Sequence, residues 1–389
     1  MRKAVLELLQ KTETEKNTFL KELVLILKKN KNNILKANQR DLAVAQKQNL
    51  SDAFLQRLTL DRKGINDLMN KVLEMQDLYA GIGEIIEKKI VEDGLLLHKI
   101  RVPIGVIAII YEARPEVTID VAALCIKSGN VAILKGGSEA MCTNKILYKC
   151  ILEALKKTGF RKESINFIPS TERKDVMKLL KRNDLIDLVI ARGSYALVKA
   201  IQQQSSIPVL AHSSGGAKIY IDKSADLSIV EKIIINAKVT KPSACNSLNT
   251  IIIHKELVGT LLGPICESLK RQGVTIIKND WSTEFLDMKV SIKIVDDVQA
   301  AIKFINKYGN NHSEGIIAVD PTVIALATSQ VDTAAMFVNC SPRLHDGYVF
   351  GLGSEMGIAT GKLHARGPVG LKELTIYKWI VYGKGHIRK

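Results

Sequence analysis

The chain has 389 residues, 46% of them hydrophobic and 25% charged, enough for more than one core at about 100–200 residues per domain. Its 56 basic against 40 acidic residues give a net charge of +16, which favours polyanionic partners. Aromatic residues make up only 5%, and no basic stretch is interleaved with aromatics as base stacking requires, so lysines on solvated faces account for the charge equally well. No apolar run approaches the ~18–20 residues of a membrane span. The opening M-R-K-A-V-L-E-L-L-Q-K is broken by Glu7, Gln10 and Lys11, too early for a secretory leader. Cys125, Cys142, Cys150, Cys245, Cys266 and Cys340 form no C-x-x-C and have no histidine cluster at metal spacing, which reads as a reduced, cytoplasmic chain without a structural metal.

Residues 3–79 carry apolar positions at helical spacing, including Phe19, Leu20, Leu23, Ile26 and Leu27, and predict a run of helices. In residues 81–105 the Asp93-Gly94 pair separates two runs able to pair as strands, so a β-hairpin over about 83–104 is expected, used in oligomerisation. From Gly105 to about Asp222 strands and helices alternate. The strand G-V-I-A-I-I-Y is followed by the polar loop E-A-R-P-E-V-T, and V-A-I-L-K-G-G-S by a helix that Ser138 is expected to cap. This alternation predicts a doubly wound parallel sheet, with ligands beyond the carboxyl ends of its strands. The turns K-G-G-S (Lys135, Gly136, Gly137, Ser138) and R-G-S (Gly193, Ser194) present glycines at helix starts, where backbone amides suit phosphates. Neither is G-x-G-x-x-G, and glycine in such turns often serves backbone geometry alone.

The sequence N-A-K-V-T-K-P-S-A-C-N-S, residues 236–247, sets Cys245 among small and turn-forming residues between a helix and the strand-like L-N-T-I-I-I-H. A thiol there can act as a nucleophile if nearby charge favours the thiolate; a structural cysteine is the competing reading. A second α/β unit follows, with strand-like runs at 250–253, 274–277 and 292–295 and a helix at 298–307, and after it comes A-A-M-F-V-N at 334–339. The last fifty residues are rich in glycine and carry Arg343, His345, His364 and Arg366.

The strings V-P-I-G-V-I-A-I-I-Y-E-A-R-P, L-K-G-G-S-E-A, N-A-K-V-T-K-P-S-A-C-N, N-H-S-E-G-I and F-G-L-G-S-E-M-G-I-A-T-G-K-L-H-A-R-G-P resemble, in order over nearly the whole chain, the γ-glutamyl phosphate reductases, a branch of the aldehyde dehydrogenase superfamily. The resemblance implies an aldehyde dehydrogenase-like α/β fold with two doubly wound domains. A dinucleotide-binding domain is expected at 1–236, a catalytic domain at 237–364, and a segment at 365–389 returning to the cofactor and oligomerisation region. It implies NADPH-dependent reduction of L-glutamyl 5-phosphate to glutamate 5-semialdehyde and phosphate through a thioester on Cys245, the second step of proline synthesis from glutamate. It further implies cofactor contacts from Lys135, Gly136, Gly137, Ser138, Gly193 and Ser194, and substrate contacts from Arg114, Arg343, His364 and Arg366. A homo-oligomer, dimer or tetramer, and a functional association with glutamate 5-kinase belong to the same expectation, with no nucleic acid, membrane or metal. Hydrolytic aldehyde dehydrogenases carry E-L-G-G upstream of the cysteine, and A-H-S-S-G-G-A-K at 211–218 offers no such carboxylate. A hydrolytic aldehyde dehydrogenase, a Cys-His hydrolase using His212, His345 or His364, and a basic nucleic-acid-binding protein on a degenerate enzyme fold are the alternatives.

Overall fold

The computed structural model describes residues 1–91, 94–211 and 214–388. The chain divides into two compact units, one of residues 1–211, 351–357 and 369–389, the other of residues 212–350 and 358–368.

The first unit opens with helices α1 (Arg2–Gln10), α2 (Glu13–Lys47), α3 (Asp52–Leu58) and α4 (Arg62–Glu74). The 35-residue α2 starts at a reciprocal cap: Thr12 Oγ1 accepts from Glu15 N (3.2 Å) while Glu15 Oε2 accepts from Thr12 N (2.8 Å). Strands β1 (Ile85–Val91) and β2 (Leu95–Pro103) then pair antiparallel; of the Asp93-Gly94 turn signal, Asp93 lies outside the described residues. Next come β3 (Val106–Tyr111), α5 (Val117–Lys127), β4 (Val131–Gly136), α6 (Met141–Lys157), β5 (Ile165–Phe167), α7 (Arg173–Leu179), β6 (Leu188–Arg192), α8 (Tyr195–Gln204) and β7 (Val209–Ala211). The five strands β3 to β7 form one parallel sheet in the order β5-β4-β3-β6-β7. Their continuous β-branched runs fit a sheet covered on both faces, and β3, β4 and α5 are buried throughout. Strand order reverses between β3 and β6, so the loops leaving these two strands flank the switch point where doubly wound sheets bind ligands.

The second unit holds β8 (Ala217–Ile221), α9 (Leu227–Val239), β9 (Leu248–His254), α10 (Gly263–Arg271), β10 (Thr275–Ile277), β11 (Lys289–Val295), α11 (Val298–Tyr308), β12 (Ser313–Ile317), α12 (Pro321–Gln330), β13 (Ala335–Val338) and the short antiparallel pair β14 (Ile358–Ala359) and β15 (Gly367–Pro368). Its six-stranded sheet is parallel, in the order β10-β11-β9-β8-β12-β13. Two apolar clusters cover it, one joining Val230, Ile234, Ile265 and Leu269 to the strands, the other Val298, Ile302, Ile305 and Ala327.

The expectation of one alternating sheet up to Asp222 is corrected by β8, which pairs with β9 and β12 and not with β7. For the same reason the compact units part at 211/212 and not at 236/237, since β8 and α9 are core elements of the second unit. Residues 369–389 belong to the first unit, where β16 (Thr375–Tyr382) pairs antiparallel with β2 to make a three-stranded sheet. Among the described residues no helix is long and apolar enough to cross a membrane.

Candidate active site

In the second unit α9 begins at Asp226, whose carboxylate accepts from Ser228 N (2.9 Å), and ends at Val239 ahead of Thr240 and Pro242. The chain then folds into a tight turn, with Ala244 N bonded to Lys241 O (3.1 Å) and Ser247 N to Ala244 O (3.0 Å), before β9 begins. Cys245, half-buried, is carried by this turn at the amino ends of β8 and β9.

A neighbouring backbone segment locks the turn. Gly216 N donates to Cys245 O (2.6 Å) and Ala217 N to Ser247 O (2.8 Å). A Cβ at Gly215 would sit 2.0 Å from Cys245 O, and Gly216 has φ +98°, so both positions require glycine. Asn310 Nδ2 fastens the same segment through Gly215 O (2.5 Å). Beneath the turn Lys238 is fully buried and donates to Leu248 O (2.9 Å); burial pushes its pKa down to about 8, opposed by Asp287.

Arg343 is brought to this turn from 97 residues away. Its Nη1 bonds Asn246 Oδ1, its Nε donates to Thr240 Oγ1 (3.3 Å), and Asn246 Nδ2 returns a bond to His345 O (3.1 Å). Burial holds the guanidinium below its ordinary pKa, against the charges of Cys245 and Asp346. His345 is buried, its Nδ1 lies 2.7 Å from Ser313 Oγ, and its ring stacks on Phe350 at 5.5 Å. His364 is exposed. Arg366 Nη2 forms an ion pair with Asp332 Oδ1 at 2.8 Å without hydrogen-bond geometry, and Lys362 shares that carboxylate at 2.7 Å. Of the expected substrate contacts in this unit, Arg343 is therefore tied to the cysteine turn and Arg366 to Asp332. His212 lies outside the described residues.

A buried pair, Lys218 and Glu314, lies on this sheet. Glu314 Oε2 accepts from Lys218 N at 2.7 Å, yet burial raises its pKa to about 7 against the Lys218 charge, and lowers that of Lys218. An unfolded glutamate ionises near 4.5, so the unfolded chain loses this proton first as pH rises. Folding stability therefore falls through the window from about 4.5 to 7. Relative to Glu314→Gln, the wild-type urea midpoint is expected to decline across that window; parallel midpoints for the two proteins would overturn the assignment.

In the first unit Lys135, Gly136 and Gly137 lie at the carboxyl end of β4, and Gly193 and Ser194 at that of β6. Lys135 is buried and donates to Gly136 O (2.8 Å); burial lowers its pKa against Glu139 and Asp175. Ser138 does not cap α6 as expected, because it opens a single 3-10 turn. The α6 amides of Cys142 and Thr143 are instead capped by the Asp41 carboxylate of α2, at 3.1 and 2.8 Å. Ser194 does cap α8, and its own N–H donates to Glu112 Oε2 (2.6 Å). The glycines also have an internal cause. A Cβ would meet Asn144 Nδ2 at 2.3 Å from Gly136, Glu139 Oε1 at 2.1 Å from Gly137, and Glu112 Oε2 at 2.6 Å from Gly193. Arg114 is part-exposed, 3.7 Å from Glu116. Asn246, Glu112 and Asp41 escaped sequence reasoning; only Asn246, adjacent to the cysteine, carried a signal that could have found it.

Two parallel α/β sheets and a cysteine in a glycine-locked turn at the amino ends of the second define a class, and the chain belongs to the aldehyde dehydrogenase family, whose sequence model matches residues 4–276. An acetylating aldehyde dehydrogenase from Geobacillus thermoglucosidasius shares the fold at a TM-score of 0.72 and 16% identity, covering 100% of this chain and 96% of its own. Within that class the chain belongs to the γ-glutamyl phosphate reductases. It is 40% identical to the Carboxydothermus hydrogenoformans γ-glutamyl phosphate reductase over 398 aligned residues (98% of this chain, 96% of the relative) and 42% identical to that of Clostridium kluyveri over 390 (96% and 93%). The crystal structure of the Thermotoga maritima γ-glutamyl phosphate reductase matches at a TM-score of 0.96 and 37% identity, covering 100% of this chain and 98% of that one.

Proposed function

We propose that this protein reduces L-glutamyl 5-phosphate to L-glutamate 5-semialdehyde with release of phosphate, the second step of proline synthesis from glutamate. The observation that carries the reading is the half-buried Cys245 in its locked turn, in a chain of this family. The Cys245 thiolate attacks the acyl carbon, a C–S bond forms, and the C–O bond to phosphate breaks as phosphate leaves. The turn's backbone amides are the natural donors to the oxyanion of this step. When bound, a nicotinamide cofactor, NADPH in this reading, supplies the hydride. The C–S bond then breaks, and the aldehyde leaves with the thiolate restored.

The strand order of the first sheet fits a dinucleotide at its switch point. Lys135, Gly136, Gly137, Ser138, Gly193 and Ser194 are the residues we assign to it. Lys135 supports this best, as a lysine at a strand end whose Nζ lies 2.8 Å from Gly136 O in the glycine turn; the Ser194 amide, already bonded to Glu112, supports it least. Arg114, Arg343, His364 and Arg366 supply positive charge for the substrate's carboxylate and phosphate. An acyl phosphate arises by phosphoryl transfer to a carboxylate, so the reading includes a functional association with glutamate 5-kinase and a cytoplasmic location.

The reverse reaction tests the function. Reduction of NADP by glutamate semialdehyde is expected only when inorganic phosphate is present, and to be slower with NAD. Turnover independent of phosphate would assign a hydrolytic dehydrogenase instead.

The reading also includes a homo-oligomer formed through the three-stranded sheet, where Ile90 is 71% exposed and Ile85, Ile376 and Tyr382, set on the same face by the strand registers, are exposed as well. Such a face normally marks an interface. Light scattering should give a multiple of the 42.9 kDa chain mass, and Ile90→Glu should lower it; a monomeric wild-type protein at micromolar concentration excludes this part.

A further inference from the structure

We propose that Arg343 is the cation that holds Cys245 as a thiolate, a service to the nucleophile in addition to the positive charge it offers the substrate. This rests on the reading of Cys245 as the nucleophile. Thiol nucleophiles need a fixed positive charge beside them, because the thiol itself ionises near pH 8.5. Arg343 is fixed by two residues of the nucleophile's own turn. Thr240, at the end of α9, takes Nε, and Asn246, next to the cysteine, takes Nη1. Asn246 completes the clamp through the carbonyls of His345 (3.1 Å) and Arg343 itself (3.5 Å). The cation is therefore fastened to the cysteine's own turn by residues of this chain.

The other charged and titratable groups around the turn do different things. Lys238, from α9, lies below it and is bonded to Leu248 O, with Ser247 Oγ at 3.5 Å. His345, beyond the Arg343 turn, and His312, at the start of β12, share Ser313 Oγ at 2.7 and 2.6 Å. Asp346 bears on Arg343 itself, and the Cys245 charge acts on the same guanidinium.

The test is the rate at which iodoacetamide alkylates Cys245, followed by peptide mass spectrometry across pH 5–10, which needs no turnover and so separates failure of this proposal from failure of the assigned reaction. Arg343→Gln is expected to move the profile up by about one pH unit or more and to slow alkylation at pH 7 roughly tenfold. Arg343→Lys, which keeps the charge, should recover most of that rate. A wild-type profile in Arg343→Gln overturns the proposal, as does equal loss in the Gln and Lys variants. Should Arg343→Gln fail to fold, Asn246→Ala keeps the arginine but removes its clamp; slowed alkylation there supports the proposal and an unchanged rate overturns it.

Discussion

Cys245→Ala is expected to lower turnover, in either direction, by on the order of 10⁴-fold or more. In the proposed reaction the sulfur carries the thioester, so its removal leaves no route that splits the reaction into two easier steps. The fold should survive. The side chain is half-buried in a turn held by backbone bonds from Gly216 and Ala217, so the stability change should stay within about 1 kcal/mol. Melting and near-ultraviolet spectra would establish that the variant is folded, and phosphate-dependent turnover within tenfold of wild type would remove Cys245 from the mechanism.

Gly215→Ala should have the next largest effect, although it leaves the sulfur in place. The added Cβ would lie 2.0 Å from Cys245 O and 2.6 Å from both its carbonyl carbon and Cα. These are backbone atoms, so no side-chain rotation relieves the clash and the nucleophile turn itself must move. A displacement of about 1 Å costs roughly 10²-fold in rate, and the clash should take about 2–4 kcal/mol from folding stability. Gly263→Ala is the control. It is the first residue of α10 and its added Cβ meets nothing within 4 Å, so rate and stability should hold. Near-wild-type kcat in Gly215→Ala would show that the turn is not locked as described.

These two positions show how unevenly the site can be read from sequence. The cysteine turn is legible because a helix, a proline and a β-branched strand follow one another within a few residues, and local chemistry dictates each. The strands β3, β4 and β9 are legible for a similar reason, since their continuous apolar runs suit burial on both faces. The change of sheet between β7 and β8 is not legible. A strand-helix alternation looks the same whether the next strand joins the old sheet or starts a new one; only the pairing of β8 with β9 and β12 decides it. Nor does a glycine declare what it makes room for. Gly136, Gly137 and Gly193 read as openings for a phosphate, whereas Asn144, Glu139 and Glu112 already stand where their Cβ atoms would go. The Asn246–Arg343 bond joins residues 97 apart, a distance across which single-sequence patterns carry no information.

The pairing of β16 with β2 also bears on how the chain matures. Arg101 of β2 bonds Thr375 of β16 across 274 residues (3.0 Å), and the register runs on to Tyr382 opposite Leu96. During synthesis β2 therefore presents an unpaired edge while the whole second unit is made. Such an edge is open to strands of other chains. Truncation before residue 375 would make that exposure permanent, whereas in the finished chain β16 covers β2 and itself becomes the outer edge of the sheet.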